Sequence, residues 1–310
     1  MDSARPTTVD QLKEMIAGVI TDESIRRAME FKPRESDIII SPYGKCGTTF
    51  LQQTVHGLRT RGDMSFREIS EVVPWLETAH VLGIDLDGPQ IQPRAFKSHM
   101  SWDLIPKGGR YIVSFRNPTD RSVSFYRFFE DWWFERDSIS FTEFTLDFAV
   151  DFAFERSCWY HLKSWWDRRD DPNVLLLTFE DMTTDLTGTV QTVADFCAID
   201  LDSELRRIVE TQSSREFMAS QRVHFDDHLM RELTEKVRGI PSGSDSYKIR
   251  AKNYGEREQL VTEDVVRALD QIWREEITEP LGFATYDEFR RAVVEHSGVL
   301  RPRAEESVSP

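Results

Sequence analysis

The run Asp37-Ile38-Ile39-Ile40-Ser41, followed by Pro42-Tyr43-Gly44-Lys45-Cys46-Gly47-Thr48-Thr49-Phe50, limits what this chain can fold into. Three consecutive β-branched residues between polar ones predict a short, fully buried strand. Leu51, Val55 and Leu58 then share one face of a helix. Between the two lies a tight turn with two glycines, a lysine and two threonines. A strand that turns directly into a helix in this way aims backbone N–H groups and the positive helix end at an anion. Lys45 adds a mobile charge, and Thr48 and Thr49 add hydroxyl donors. The chain is therefore expected to build an α/β unit around a P-loop-like anion site.

The remaining pattern agrees. Further strands are predicted at Arg94 to Ser98, Tyr111 to Phe115 and Val174 to Thr178, alternating with helical patterns such as Val190, Val193, Ala194 and Cys197. That alternation predicts one α/β domain over 35–296, with a central, mostly parallel β-sheet flanked by helices. Residues 1–34, with Leu12, Met15, Ile16 and Val19 at helical spacing, read as an N-terminal helical extension. Thr262 is a candidate N-cap for a helix packed through Val265, Leu269, Ile272 and Trp273. Residues 297–310 read as a disordered tail.

Composition excludes several classes. A formal net charge of −15 argues against a nucleic-acid binder, which needs a basic surface. No apolar run is long enough to span a membrane, and the N-terminus lacks the apolar core of a signal peptide. Three cysteines, Cys46, Cys158 and Cys197, share no metal-ligand spacing. The expected compartment is the cytoplasm and no metal is expected; a homodimer is compatible with this reading.

The loop does not fit the nucleotide-triphosphatase pattern G-x-x-x-x-G-K-[ST], since Lys45 is followed by Cys46. It resembles instead the 5′-phosphosulfate loop Tyr-Pro-Lys-Ser-Gly-Thr-Thr-Trp of the sulfotransferase superfamily. Lys45, Gly47, Thr48 and Thr49 match; Gly44, Cys46 and Phe50 stand for Pro, Ser and Trp. Arg116 at a strand end and Ser124 eight residues later resemble the family's 3′-phosphate clamp. Phe179-Glu180-Asp181-Met182 resembles the family's Tyr-Glu-Asp-Met, with Phe179 beside the adenine. Tyr247 to Arg257 resembles a late Arg-Lys-Gly-x-x-Gly-Asp-Trp segment. There Arg250 and Gly255 align, and Lys252 stands near the displaced lysine. The Trp159-Tyr160-His161 helix resembles a family packing segment.

Phe96-Lys97-Ser98-His99 resembles the family's Lys-Thr-His segment, in which the histidine is the base. The resemblance implies transfer of a sulfuryl group from 3′-phosphoadenosine-5′-phosphosulfate (PAPS), a co-substrate used without metal. His99 would take the acceptor's proton, while Lys45 and Lys97 would balance charge on the leaving oxygen. Trp75, Trp102 and the run Phe128, Phe129, Trp132, Trp133 and Phe134 favour an apolar small-molecule or lipid-like acceptor with a hydroxyl or amine. The alternatives are a P-loop nucleotide kinase, a non-catalytic binder of 3′-phosphoadenosine nucleotides, and an interaction protein on the same fold.

Overall fold

The computed structural model describes residues 5–150, 152, 155–241, 248–249 and 259–297. Arg250, Lys252 and Gly255, and the expected tail beyond 297, lie outside the described residues. Four strands form one sheet: β1 (Ile38–Ile40), β2 (Ala95–Lys97), β3 (Arg110–Phe115) and β4 (Val174–Thr178). Their order is β2-β1-β3-β4 and every neighbouring pair is parallel, as the alternation of strands and helices requires. Ile38 faces Ala95 on one side and Arg110 on the other.

Because side chains alternate across a strand, the sheet divides the core in two. Ile39, Phe96, Tyr111 and Val113 enter one core, and Ile38, Ile40, Ala95 and Ile112 the other. The second is closed by the Thr48–Thr60 helix through Leu51, Val55 and Leu58, and by the Leu186–Cys197 helix through Val190, Val193 and Ala194. The first holds the aromatic surplus: Phe125, Phe129, Trp132 and Trp133 from the Pro118–Trp132 helix and the residue after it. Leu12, Val19 and Ala28 of the N-terminal segment also enter this core, from the helices Val9–Ile16 and Asp22–Glu30 and the turn between them. Thr262 caps its helix as expected, accepting from Val265 N–H at 3.4 Å.

The second strand is shorter than the sequence suggests. It ends at Lys97, although Ser98 N–H still donates to the Ile40 carbonyl at 2.8 Å. His99 stands beyond the ladder because Glu77 has captured its N–H. Among the described residues, no helix is long and apolar enough to cross a membrane.

Candidate active site

A parallel sheet places all its carboxyl ends on one edge, so each strand delivers one piece of the site. After β1 the chain turns through Lys45 (φ 69°) and Gly47 (φ 103°) into the Thr48–Thr60 helix. A Cβ on Gly47 would stand 2.9 Å from Phe179 Cδ2 and 3.0 Å from Met182 Cε, so both backbone and space demand glycine. No side chain caps this helix. Thr48 Oγ1 is buried and has no hydrogen-bond partner among the described residues. An open helix start with an orphaned hydroxyl suits an anion.

Hydrogen bonds hold the loop from beneath. Ser114 Oγ donates to the Cys46 carbonyl at 2.6 Å, Arg116 Nη1 to that of Lys45 at 3.0 Å, and Arg121 Nε to that of Gly44 at 3.3 Å. Cys46 itself is buried, and burial pushes its thiol up to about 12. It does not line the large cavity that the loop borders, unlike its neighbours.

Lys97, at the end of β2, lays its ammonium 3.7 Å over the Trp75 ring, which a parallel bridge to Lys97 brings alongside. Burial lowers its pKa to about 8. His99 is buried, with its N–H donating to Glu77 Oε1 at 2.6 Å and its Nδ1 2.6 Å from the Pro42 carbonyl. A carbonyl only accepts, so Nδ1 carries the proton and Nε2 the lone pair. Burial, then the charge of Lys97, holds the imidazole well below its usual range and therefore neutral.

The end of β3 delivers Arg116, whose guanidinium lies 4.2 Å over the Phe179 ring supplied by β4. Arg116 is half-buried, and its Nε is enclosed with no hydrogen-bond partner among the described residues. Burial depresses its pKa, as for a cation awaiting an anionic ligand. Asn117 caps the next helix by accepting from Thr119 N–H at 3.0 Å, with Pro118 in the first helical position. That helix carries Ser124 into the same cavity, at the spacing read from the sequence.

The cavity measures about 1080 Å³. It unites Lys45, Gly47, Thr48, Thr49, Phe50, Lys97, His99, Arg116, Ser124 and Phe179. Its far wall is Phe125, Phe128, Phe129, Trp132 and Trp133. The ammonium of Lys45 sits 4.3 Å over the Phe128 ring, between the anion loop and this wall. Phe134, by contrast, is wholly buried packing, and Trp102 packs on Tyr111 and Trp165. His161 is buried and its Nε2 donates to the Ser41 carbonyl at 3.0 Å, which agrees with its reading as packing.

Among the cavity residues that escaped sequence reasoning are Glu77, Asp227 and Lys248. Glu77 follows Trp75 by two residues, and its contacts with Ser98 Oγ (3.0 Å) and His99 N–H are tertiary. Asp227 and Lys248 form an ion pair at 2.5 Å with side chains 6% and 7% exposed. Burial, the largest influence on Asp227, would raise its pKa, but the charges of Lys248, Lys97 and Lys45 together outweigh it and the carboxyl lies below its usual range. No local spacing announces such a pair.

A family model described as the sulfotransferase domain matches residues 35–280. Sulfotransferase 4A1 of mouse is 32% identical over 190 residues, covering 58% of this chain and 66% of that one. The chain thus aligns with about two thirds of the length of this relative. Among solved structures, retinol dehydratase in complex with androsterone and the inactive cofactor PAP superposes with a TM-score of 0.68. It is 18% identical, over 90% of this chain and 96% of that one. Mouse sulfotransferase SULT7A1 complexed with PAP superposes with a TM-score of 0.62 at 20% identity, over 89% and 95%.

Proposed function

The chain belongs to the sulfotransferase family, and from that premise we propose that it moves a sulfuryl group from PAPS to a hydroxyl or amine of an apolar small-molecule or lipid-like acceptor. The observation that carries this reading is the meeting, in one cavity, of an uncapped helix start, Lys45, Lys97 and a neutral His99. The nucleotide-kinase alternative gives way to the family match.

The bound donor supplies the sulfuryl group and, in its 5′-phosphate, the leaving group. In this reading the amides from Gly47 to Thr49 and the orphaned Thr48 hydroxyl hold the 5′ end. Arg116 and Ser124 hold the 3′-phosphate. Phe50 and Phe179 flank the adenine. His99 Nε2 takes the acceptor's proton as the new oxygen–sulfur bond forms and the sulfur–oxygen bond to the phosphate breaks. Lys45 and Lys97 offset the negative charge gathering on the departing oxygen. The aromatic wall accommodates the apolar skeleton of the acceptor. The free thiols of Cys46, Cys158 and Cys197 support a reducing compartment, the cytoplasm.

His99→Ala tests the assignment. Turnover should fall by about two to four orders of magnitude, the usual contribution of a general base, while calorimetry shows adenosine 3′,5′-bisphosphate (PAP) binding almost unchanged. The fall should be smaller for acidic phenols than for aliphatic alcohols. Wild-type rates with both acceptor classes would make His99 a scaffold residue.

A further inference from the structure

The mechanism above leaves the Asp227–Lys248 pair without a task. Both side chains line the cavity, both are more than nine-tenths buried, and they meet at 2.5 Å. About half of the residues lining the cavity are aromatic or aliphatic, and Lys45, Glu77, Lys97 and His99 share it with the pair. Withdrawing two ions from water is costly, and apolar residues of equal volume commonly fold as well or better. Stability is therefore a poor reason for the pair.

Its charged neighbours have partners of their own, although Glu68 Oε1 has none among the described residues. Glu68 Oε2 accepts from Leu229 N–H at 2.8 Å, and Asp226 pairs with Arg231 at 3.2 Å. Lys97 rests on Trp75. What remains is a carboxylate beside an ammonium, near enough to Lys97 for each charge to be felt there. Together they offer one hydrogen-bond acceptor and one donor, side by side, on a cavity wall.

A hydroxyl both donates and accepts, so it satisfies both partners at once. A ketone or ether would engage Lys248 alone, and an ammonium Asp227 alone. Resting on the sulfotransferase reading, we infer that Asp227 and Lys248 form an acceptor-recognition site for a second hydroxyl, borne by the same apolar skeleton as the hydroxyl that receives the sulfuryl group. The acceptors of this chain are then apolar diols or hydroxyalkyl phenols rather than simple phenols. Sites built to hydrogen-bond a substrate hydroxyl discriminate strongly against analogues lacking it, because buried polar groups are left unmatched.

The experiment uses the full chain, PAPS and matched acceptors: 4-alkylphenols and the same phenols with a terminal hydroxyl, over graded tether lengths. The wild type should prefer the best dihydroxy member at least tenfold in kcat/KM. In the double variant Asp227→Leu/Lys248→Met, which removes both charges together, that ratio should fall to near one while PAP affinity persists. An undiminished ratio in the double variant overturns the inference. So does a loss of PAP affinity with the ratio intact, which would make the pair part of the donor site. If the double variant does not fold, calorimetry of wild type loaded with PAP decides, and equal affinities for mono- and dihydroxy partners overturn it. Failure of the wild type to transfer to any acceptor would refute the sulfotransferase reading itself, a separate result.

Discussion

At the scale of single residues, the proposed mechanism asks two nitrogen bases, His99 and Lys97, to take opposite roles. His99 must be neutral to accept a proton, and burial together with Lys97 keeps it so. Lys97 must be charged to oppose the leaving oxygen, yet burial has drawn its pKa down to about 8. Activity is thus lost as pH falls through the depressed pKa of His99 and lost again as pH rises through about 8. With an aliphatic alcohol, which does not titrate in this range, kcat/KM should show that alkaline limb. Lys97→Arg keeps its charge and should move the limb beyond reach. A limb that stays in place in the variant would assign it to another group. The histidine itself was legible from its place two residues after a lysine. Its tautomer was not, because the Pro42 carbonyl that settles it comes from a different strand's loop.

At the scale of elements, the phosphate loop shows how local sequence becomes a site. The isoleucine strand and the Leu51/Val55/Leu58 helix were readable from periodicity, and their junction from its glycines. Only the packed structure explains why Gly47 is obligatory: its φ of 103° and the approach of Phe179 to 2.9 Å leave no place for a methyl group. Gly47→Ala should destabilise the fold by about 1–3 kcal/mol through backbone strain and steric displacement. Its PAP affinity should fall with it, since Phe179 carries the Arg116 guanidinium on its ring. Thermal melting and calorimetry would check both, and wild-type values in the two would remove the argument. The early end of β2 at Lys97 was not legible, because it depends on Glu77 reaching across to the His99 amide.

For the whole molecule, burial of titratable groups sets an acid limit. His56, His99 and His161 are all buried; burial lowers the pKa to about 4 in His56 and about 3 in His161, and well below 6.5 in His99. The unfolded chain therefore binds more protons than the folded one once pH drops below about 6.5, so stability falls with falling pH. Each histidine can contribute at most about 1.4 kcal/mol per pH unit in that window. Urea midpoints should drop from pH 7 to pH 5, and His161→Gln should flatten the slope. An identical slope would show that His161 is not one of the responsible groups.

Periodicity and spacing determined the strands, the flanking helices and the anion loop. Those features depend on residues a few positions apart, whose relation the backbone geometry dictates. Tertiary structure alone decided which rings of the Phe128–Phe134 run line the cavity and which fill the core. It also decided that Asp227 and Lys248 meet, that Glu77 underlies His99, and that Cys46 turns from the cavity. These outcomes depend on contacts between segments far apart in the chain, and on how deeply each charge is withdrawn from water. Neither the contact nor the depth has a local sequence pattern to reveal it.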